Sequence, residues 1–454
     1  MKSQTRSFYR EIISIALPVA FQNLISFAAA MTDSLMLGRA DGDGILLSAS
    51  SLANQPFYIL SLICFGISSA VSVFTSQYWG KGDTEKIRIL FSMAIRLSAS
   101  FSAITGFLAV MFPRQIMTVY SSSPEIIELG AQYLRIVGAA YLFYGLSSTF
   151  ICLLRSIELV NISVAANICT FAVNCFLNYV LIYGKLGFSP MGIKGAAIAT
   201  FIARSVEFLI IITYVFFGDK RLSFSVKSLV LWDKFLFFDL CKFGLPVFFN
   251  ELFLGLSSSV HAAILGHITY SSGDPVTANS ICGIVQQFST VTLFGVANAA
   301  AVIVGKAIGQ GNTVYARKKA HSLLFISYLV GIFCALLILL LKTPVINFYE
   351  ISAETKALAL EMMNSVALIT VFISVSSVSI VGILRGAGDT KFGVVTELSA
   401  IWFIGIPTGI AAAFVFDMPV PLVIILMKCD EFIKAAVCTV RIFGKKWINT
   451  VAER

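Results

Sequence analysis

The chain has 454 residues, 57% of them hydrophobic and 13% charged, with a formal net charge of +9 and a mean hydropathy of +0.88. A soluble protein carries about 25% charged residues, so this composition excludes an ordinary soluble enzyme or binding domain. Nine scattered Cys form no CxxC pair and three His are too few and too spread, so neither a disulfide framework nor a His/Cys metal site is written in the sequence.

In chain order, apolar segments of membrane-spanning length, about 20 residues each, fall near residues 12–38, 47–78, 89–111, 129–153, 161–183, 194–217, 239–266, 277–305, 320–341, 358–384, 392–416 and 420–442. The start, MKSQTRSFYREIISIALPVAF, runs into the first span without a small-residue cleavage site and reads as a span rather than a removable signal. Twelve helices define an all-α polytopic membrane protein. With the N-terminus inside, 22 Lys and Arg fall in inner segments and 6 in outer ones. This bias places both termini in the cytoplasm. It also explains the basic excess as a topology signal, with no nucleic-acid partner.

The spans repeat. GISSAVSVFTSQYWGKGDTEKIR (Gly66–Arg88) aligns without a gap on GVANAAAVIVGKAIGQGNTVYAR (Gly295–Arg317), LPV at 17–19 on LPV at 245–247, and LLRSIEL at 153–159 on ILRGAGD at 383–389. The offset stays at 228–230. Six spans per half make the halves parallel, two six-helix lobes related by pseudo-two-fold symmetry about the membrane normal. Parallel repeats of this kind mark transporters. The expected division is an N-lobe over 1–217, a cytoplasmic linker over 218–236, a C-lobe over 237–443 and a cytoplasmic tail over 444–454. Pro18 and Pro246 occupy equivalent places in spans 1 and 7. Each removes a helical hydrogen bond, which suits either a hinge or a static kink.

Charges inside the spans are few. Asp33 lies in the outer half of span 1, where a carboxylate costs up to roughly 2.5–3.5 kcal/mol at a helix centre. At the repeat offset its counterpart is His261, while the second half carries its acid at Glu251. Glu251 and His261 sit ten residues apart on one helix, about 15 Å at 1.5 Å per residue, so a direct pair needs a strong kink. Arg204 with Glu207, and Glu431 with Lys434, are spaced i, i+3 and read as self-neutralising pairs.

LPV followed by DSLMLG in span 1, the QYWGKGDTEKIR loop and LRGAGDT after span 10 resemble the multidrug and toxic compound extrusion (MATE) family over essentially the whole chain. The end of the chain is similar to a Firmicute-type bacterial branch. The resemblance implies a V-shaped pair of lobes and a coupling-ion site in the N-lobe. Asp33 fits that site's span 1 acid, Asn174 its span 5 amide and Thr200 its span 6 hydroxyl. Asn178 stands where many relatives have Asp. Other relatives use a span 7 acid, which Glu251 resembles, with His261 as the further C-lobe candidate for coupling or substrate. Asn174 and Asn178 share one helix face as i, i+4 residues. Their amides coordinate but do not titrate. The set makes a candidate Na⁺ site at Asp33, Asn174 and Asn178, while Asp33 alone suits a proton. Hydrogen bonding between helices is the plainer reading of the Asn pair.

The expectation is a Na⁺- or H⁺-coupled secondary antiporter. It would export organic, cationic or amphipathic, drugs, toxins or metabolites by alternating access. The rival is a flippase for a lipid-linked oligosaccharide, which needs more cations facing its cavity. No Walker loop or nucleophile–base set is present, so no enzymatic activity and no cofactor beyond the coupling ion are expected. The expected setting is a monomer in a bacterial inner (cytoplasmic) membrane, whose partners are small organic molecules and membrane lipid.

Overall fold

The computed structural model describes residues 2–40, 45–121, 123–219, 221–222, 224–268, 275–347, 352–444 and 446–449. Lys445 and residues 450–454 of the expected tail, and Lys220 and Ser223 of the expected linker, lie outside the described residues. Among the described residues there is no strand. The helices are α1 (Lys2–Ala40), α2 (Ile45–Ala53), α3 (Gln55–Lys81), α4 (Thr84–Met111), α5 (Pro113–Tyr120), α6 (Pro124–Gly138), α7 (Tyr141–Ser156), α8 (Asn161–Tyr183) and α9 (Ile193–Thr213). They continue with α10 (Lys234–His267), α11 (Pro275–Ser289), α12 (Val291–Gly309), α13 (Thr313–Asn347), α14 (Ala353–Ser377), α15 (Thr390–Ala400), α16 (Ile406–Phe414), α17 (Val420–Met427) and α18 (Asp430–Phe443). Wider π turns extend α14 over Val378–Leu384 and join α15 to α16 over Ile401–Gly405.

Ten helices among the described residues are long and apolar enough to cross a membrane, or up to eleven when α6 and α7, bent by 51° at their junction, count as one span. The predicted eighth span is divided at Thr290 into α11 and α12, and only α12 meets the length test. The predicted twelfth span is also divided. The backbone tightens where Cys429 N–H bonds Leu426 C=O at 3.3 Å, and Lys428, Asp430, Glu431 and Lys434 crowd the break. Buried charge, rather than lack of apolar length, interrupts it.

Two compact units form. One comprises Phe21–Thr75 and Asp83–Gly244, with a core that includes Leu37, Leu60, Met117, Leu134, Tyr141 and Ile193. Lipid tails are as apolar as leucine, so its helices gain by close approach rather than by exclusion of water. A Cβ at Gly138 would meet the Ala109 side chain at 2.7 Å, and one at Gly106 the Gly138 carbonyl at 2.8 Å. The linker belongs to this unit. Ser92 of α4 donates to the Leu229 and Leu231 carbonyls at 2.8 and 2.9 Å, Arg96 also donates to Leu231, and the Arg96 guanidinium lies 5.0 Å from the Trp232 ring centroid.

The other unit comprises Met1–Ala20, Ser76–Gly82 and Leu245–Arg454. Its core includes Ile281, Ile338, Met362, Met363, Val423 and Met427. The divisions fall inside α1, after Ala20, and inside α10, after Gly244, each about two residues from an in-helix proline, Pro18 or Pro246. The compact units therefore do not follow the repeat boundary.

The repeated Gly-x-Gly-Asp/Asn-Thr loops have a local cause. Gly82 and its counterpart Gly311 turn with φ of +79° and +73°, a region glycine enters freely. Asp83 then accepts from Lys86 N–H at 3.1 Å and Asn312 from Tyr315 N–H at 3.0 Å, capping α4 and α13 alike. Ahead of the turns, α3 and α12 cross in van der Waals contact. Any Cβ at Gly80 would collide with the Lys306 carbonyl, any at Gly309 with the Gln77 carbonyl, and any at Gly305 with Ser76. Counterparts swap roles across this crossing.

The tail folds onto the same region. Trp447 is fully buried. Asn449 N–H bonds Ala387 C=O at 3.0 Å, and Gln77 donates to the Gly386 and Asn449 carbonyls, both at 3.4 Å. Arg441 pairs with Asp389 at 2.9 Å and donates to the Lys446 carbonyl at 3.2 Å. Asp389 lies between helical segments. Burial pushes its carboxyl above the usual range, and the Arg441 guanidinium opposes that shift.

Candidate cation site

The unit containing Phe21–Thr75 gathers its polar side chains at one place. Asn178 Nδ2 donates to Asp33 Oδ1 at 2.5 Å and to Asn174 Oδ1 at 3.2 Å. The i, i+4 spacing on α8 makes this possible, since it stacks the two amides one turn apart. Asn178 is completely buried, and its Oδ1 has no hydrogen-bond partner among the described residues. A buried amide oxygen without a donor loses its hydration uncompensated, about 1–3 kcal/mol. Thr200 of α9 lies beside Tyr133 of α6, which is within electrostatic reach of Asp33. Asn54 Nδ2 lies 3.4 Å from the Tyr133 hydroxyl. Three oxygen-bearing groups, Asp33, Asn174 and Asn178, thus meet at α1 and α8, while Thr200 has no hydrogen bond to them among the described residues. Hard cations take oxygens of this kind.

Sequence reasoning left Arg204 out of this cluster. It lies within electrostatic reach of Asp33. It is held away from that carboxylate by Glu207, to which it donates at 2.8 Å, and it lies over the Tyr144 and Phe57 rings at 5.2 and 5.7 Å. The signal was available: Thr200, Arg204 and Glu207 are spaced four and three apart, one face of α9. Tyr133 and Asn54 carried no such signal, because tertiary packing alone brings them in.

The unit containing Leu245–Arg454 holds a second polar group. Glu251 does not meet His261. Its partner is Arg385, which lies at 3.6 Å and is nearly buried. Arg385, one of the 22 Lys and Arg in the expected inner segments, thus folds back onto an acid. Asn250 donates to Glu397 at 2.7 Å. Lys434 bridges Asp430 at 2.9 Å and Glu431 at 2.6 Å, and Ser376 donates to Glu431 at 2.5 Å. His261 is buried on the side of Lys428 and Lys434, its Nε2 unpartnered among the described residues. The i, i+3 pairs Arg204–Glu207 and Glu431–Lys434 both form, though the second is part of a larger network. Among the described residues no three His, Cys, Asp or Glu gather as transition-metal ligands.

Membrane-length helices built twice over, with charges paired inside them, define a polytopic membrane transporter. The MatE family model matches residues 18–180 and 246–411, one match per half and starting at the two prolines. The chain belongs to the MatE family. The probable multidrug resistance protein NorM of Thermotoga maritima is 23% identical over 419 residues, 92% of this chain and 88% of that protein. The multidrug resistance protein PmpM of Pseudomonas aeruginosa is 25% identical over 415 residues, 89% and 84% of the two chains. A MOP superfamily transporter from Pyrococcus furiosus superposes with a TM-score of 0.86, at 16% identity and 95% coverage of both chains.

Proposed function

We propose that this protein is a cation-coupled secondary antiporter that exports organic, cationic or amphipathic, drugs and toxins by alternating access. The observation that carries the reading is the Asp33–Asn178–Asn174 cluster, where a carboxylate and two amides meet inside the helices and one amide oxygen has no donor among the described residues. An entering Na⁺ would take those oxygens once the Asn178 amide turns its oxygen inward; a proton would instead go to Asp33 alone. Either neutralises Asp33 and frees Asn178, loosening α1 from α8. The divisions of the compact units beside Pro18 and Pro246 support these prolines as the hinges. Relatives named for multidrug resistance support the substrate class. The flippase reading loses ground because Arg204, Arg385 and Lys434 each face a carboxylate. The same reading sets the protein as a monomer in a bacterial cytoplasmic membrane with both termini inside.

Proteoliposomes supply the test. Efflux of a fluorescent organic cation such as ethidium, driven by an imposed Na⁺ or pH gradient, is expected for the native protein and lost in Asp33→Asn. Gradient-driven efflux that survives Asp33→Asn would falsify the reading.

A further inference from the structure

Asp33 faces ionisable groups from three packed elements: Tyr133 of α6, Cys175 of α8 and Arg204 of α9. Only Arg204 carries a fixed charge at neutral pH. Its guanidinium has two carboxylates within electrostatic reach, yet it is hydrogen-bonded to one of them. Glu207, almost wholly buried, takes it at 2.8 Å, and the Tyr144 and Phe57 rings hold the guanidinium plane from the side. Arg204 is thus docked beside the candidate cation site without occupying it.

We infer that the Arg204–Glu207 pair is a positioning pair that sets how tightly the Asp33 site takes its coupling cation. The inference rests on the reading of Asp33 as the coupling carboxylate. With Glu207 in place, the arginine charge is largely cancelled, and Asp33 keeps its negative charge for the incoming ion. Without Glu207, Asp33 is the remaining acid within electrostatic reach of the guanidinium, which then competes with the ion. Without Arg204, the uncancelled Glu207 charge adds to that of Asp33 and draws the ion in. Charges at this range inside a protein are weakly screened. The two halves of one ion pair therefore act in opposite directions, which a purely structural salt bridge cannot do.

The experiment measures the half-saturating concentration of the driving cation, Na⁺ or H⁺, for ethidium efflux from proteoliposomes. Arg204→Gln is expected to lower it by about three- to tenfold and Glu207→Gln to raise it by a similar factor. The double variant, and Arg204→Lys, which keeps the charge, are expected within about twofold of the native value. Shifts in the same direction, or none, overturn the inference. Should one single variant fail to assemble, the other decides: a shift of about three- to tenfold in its stated direction, with Arg204→Lys within about twofold of the native value, supports the inference, and any other result overturns it. Asp33→Asn in the same vesicles separates the two ideas. If ion-driven efflux survives that change, the reading of Asp33 fails. If efflux is lost while the pair variants do not diverge, the pair's role alone fails.

Discussion

Asn178 holds two acceptors with one nitrogen, and so lies between Asp33 and Asn174, where the proposed coupling cation would bind. Hydrogen bonds to charged groups are worth about 1.5–3 kcal/mol. Asn178→Leu therefore removes both the bridge and a coordinating oxygen, and ion-stimulated efflux should fall by about tenfold or more. Asn178→Asp is expected to act differently. It places a second carboxylate against Asp33, and like charges so close hold a proton between them. Its efflux should gain a steeper dependence on pH than the native protein shows, measured across imposed pH gradients. At this scale the sequence revealed what lies along one helix. Asn174 with Asn178, and Arg204 with Glu207, are neighbours by helical spacing. It could not reveal that Glu251 would take Arg385, because that pair joins α10 to the segment after α14, and no periodicity spans the gap.

The linker is clasped to α4 rather than hung between spans. Ser92 and Arg96 hold the Leu229 and Leu231 carbonyls, and the Trp232 ring lies beside the Arg96 guanidinium. Arg96→Ala removes the charged contacts while leaving Ser92. Amide hydrogen exchange across residues 226–232 should then accelerate, with little change in the exchange of α8. Unchanged protection of 226–232 would show that the clasp lies elsewhere. The apolar runs displayed the helices themselves well. Their breaks were hidden, because Thr290 and the Lys428–Cys429 turn interrupt hydrophobic segments that hydropathy alone would carry through. The last segment breaks where three carboxylates, Asp430, Glu431 and Glu397 of α15, surround Lys434, with Ser376 of α14 donating to Glu431.

For the whole molecule, the positive-inside pattern makes a directional prediction. In a cysteine-free background, a Cys at Lys185 should react with a membrane-impermeant maleimide applied outside intact cells, and one at Lys86 only after permeabilisation. The reverse pattern would invert the topology. The repeat, too, was legible from spacing alone, and the two family-model matches begin at the same offset. What spacing could not disclose is how the chain is shared between its compact units. The first twenty residues and the end of α3 with Gly82 (76–82) group with the second half, and the linker with its following helix start groups with the first.

The reciprocal crossing of α3 and α12 also bears on how a chain like this can be encoded. Gly80 meets Lys306 as Gly309 meets Gln77, so Ser76 and Gly305 sit where a position encounters its own counterpart. Were one gene to supply both halves as identical subunits, that position would carry the same residue twice. Two serines would overlap there, since even a bare Cβ at Gly305 strikes Ser76. The pairing of one serine with one glycine is closed to identical subunits and open to a fused chain, in which each half mutates separately.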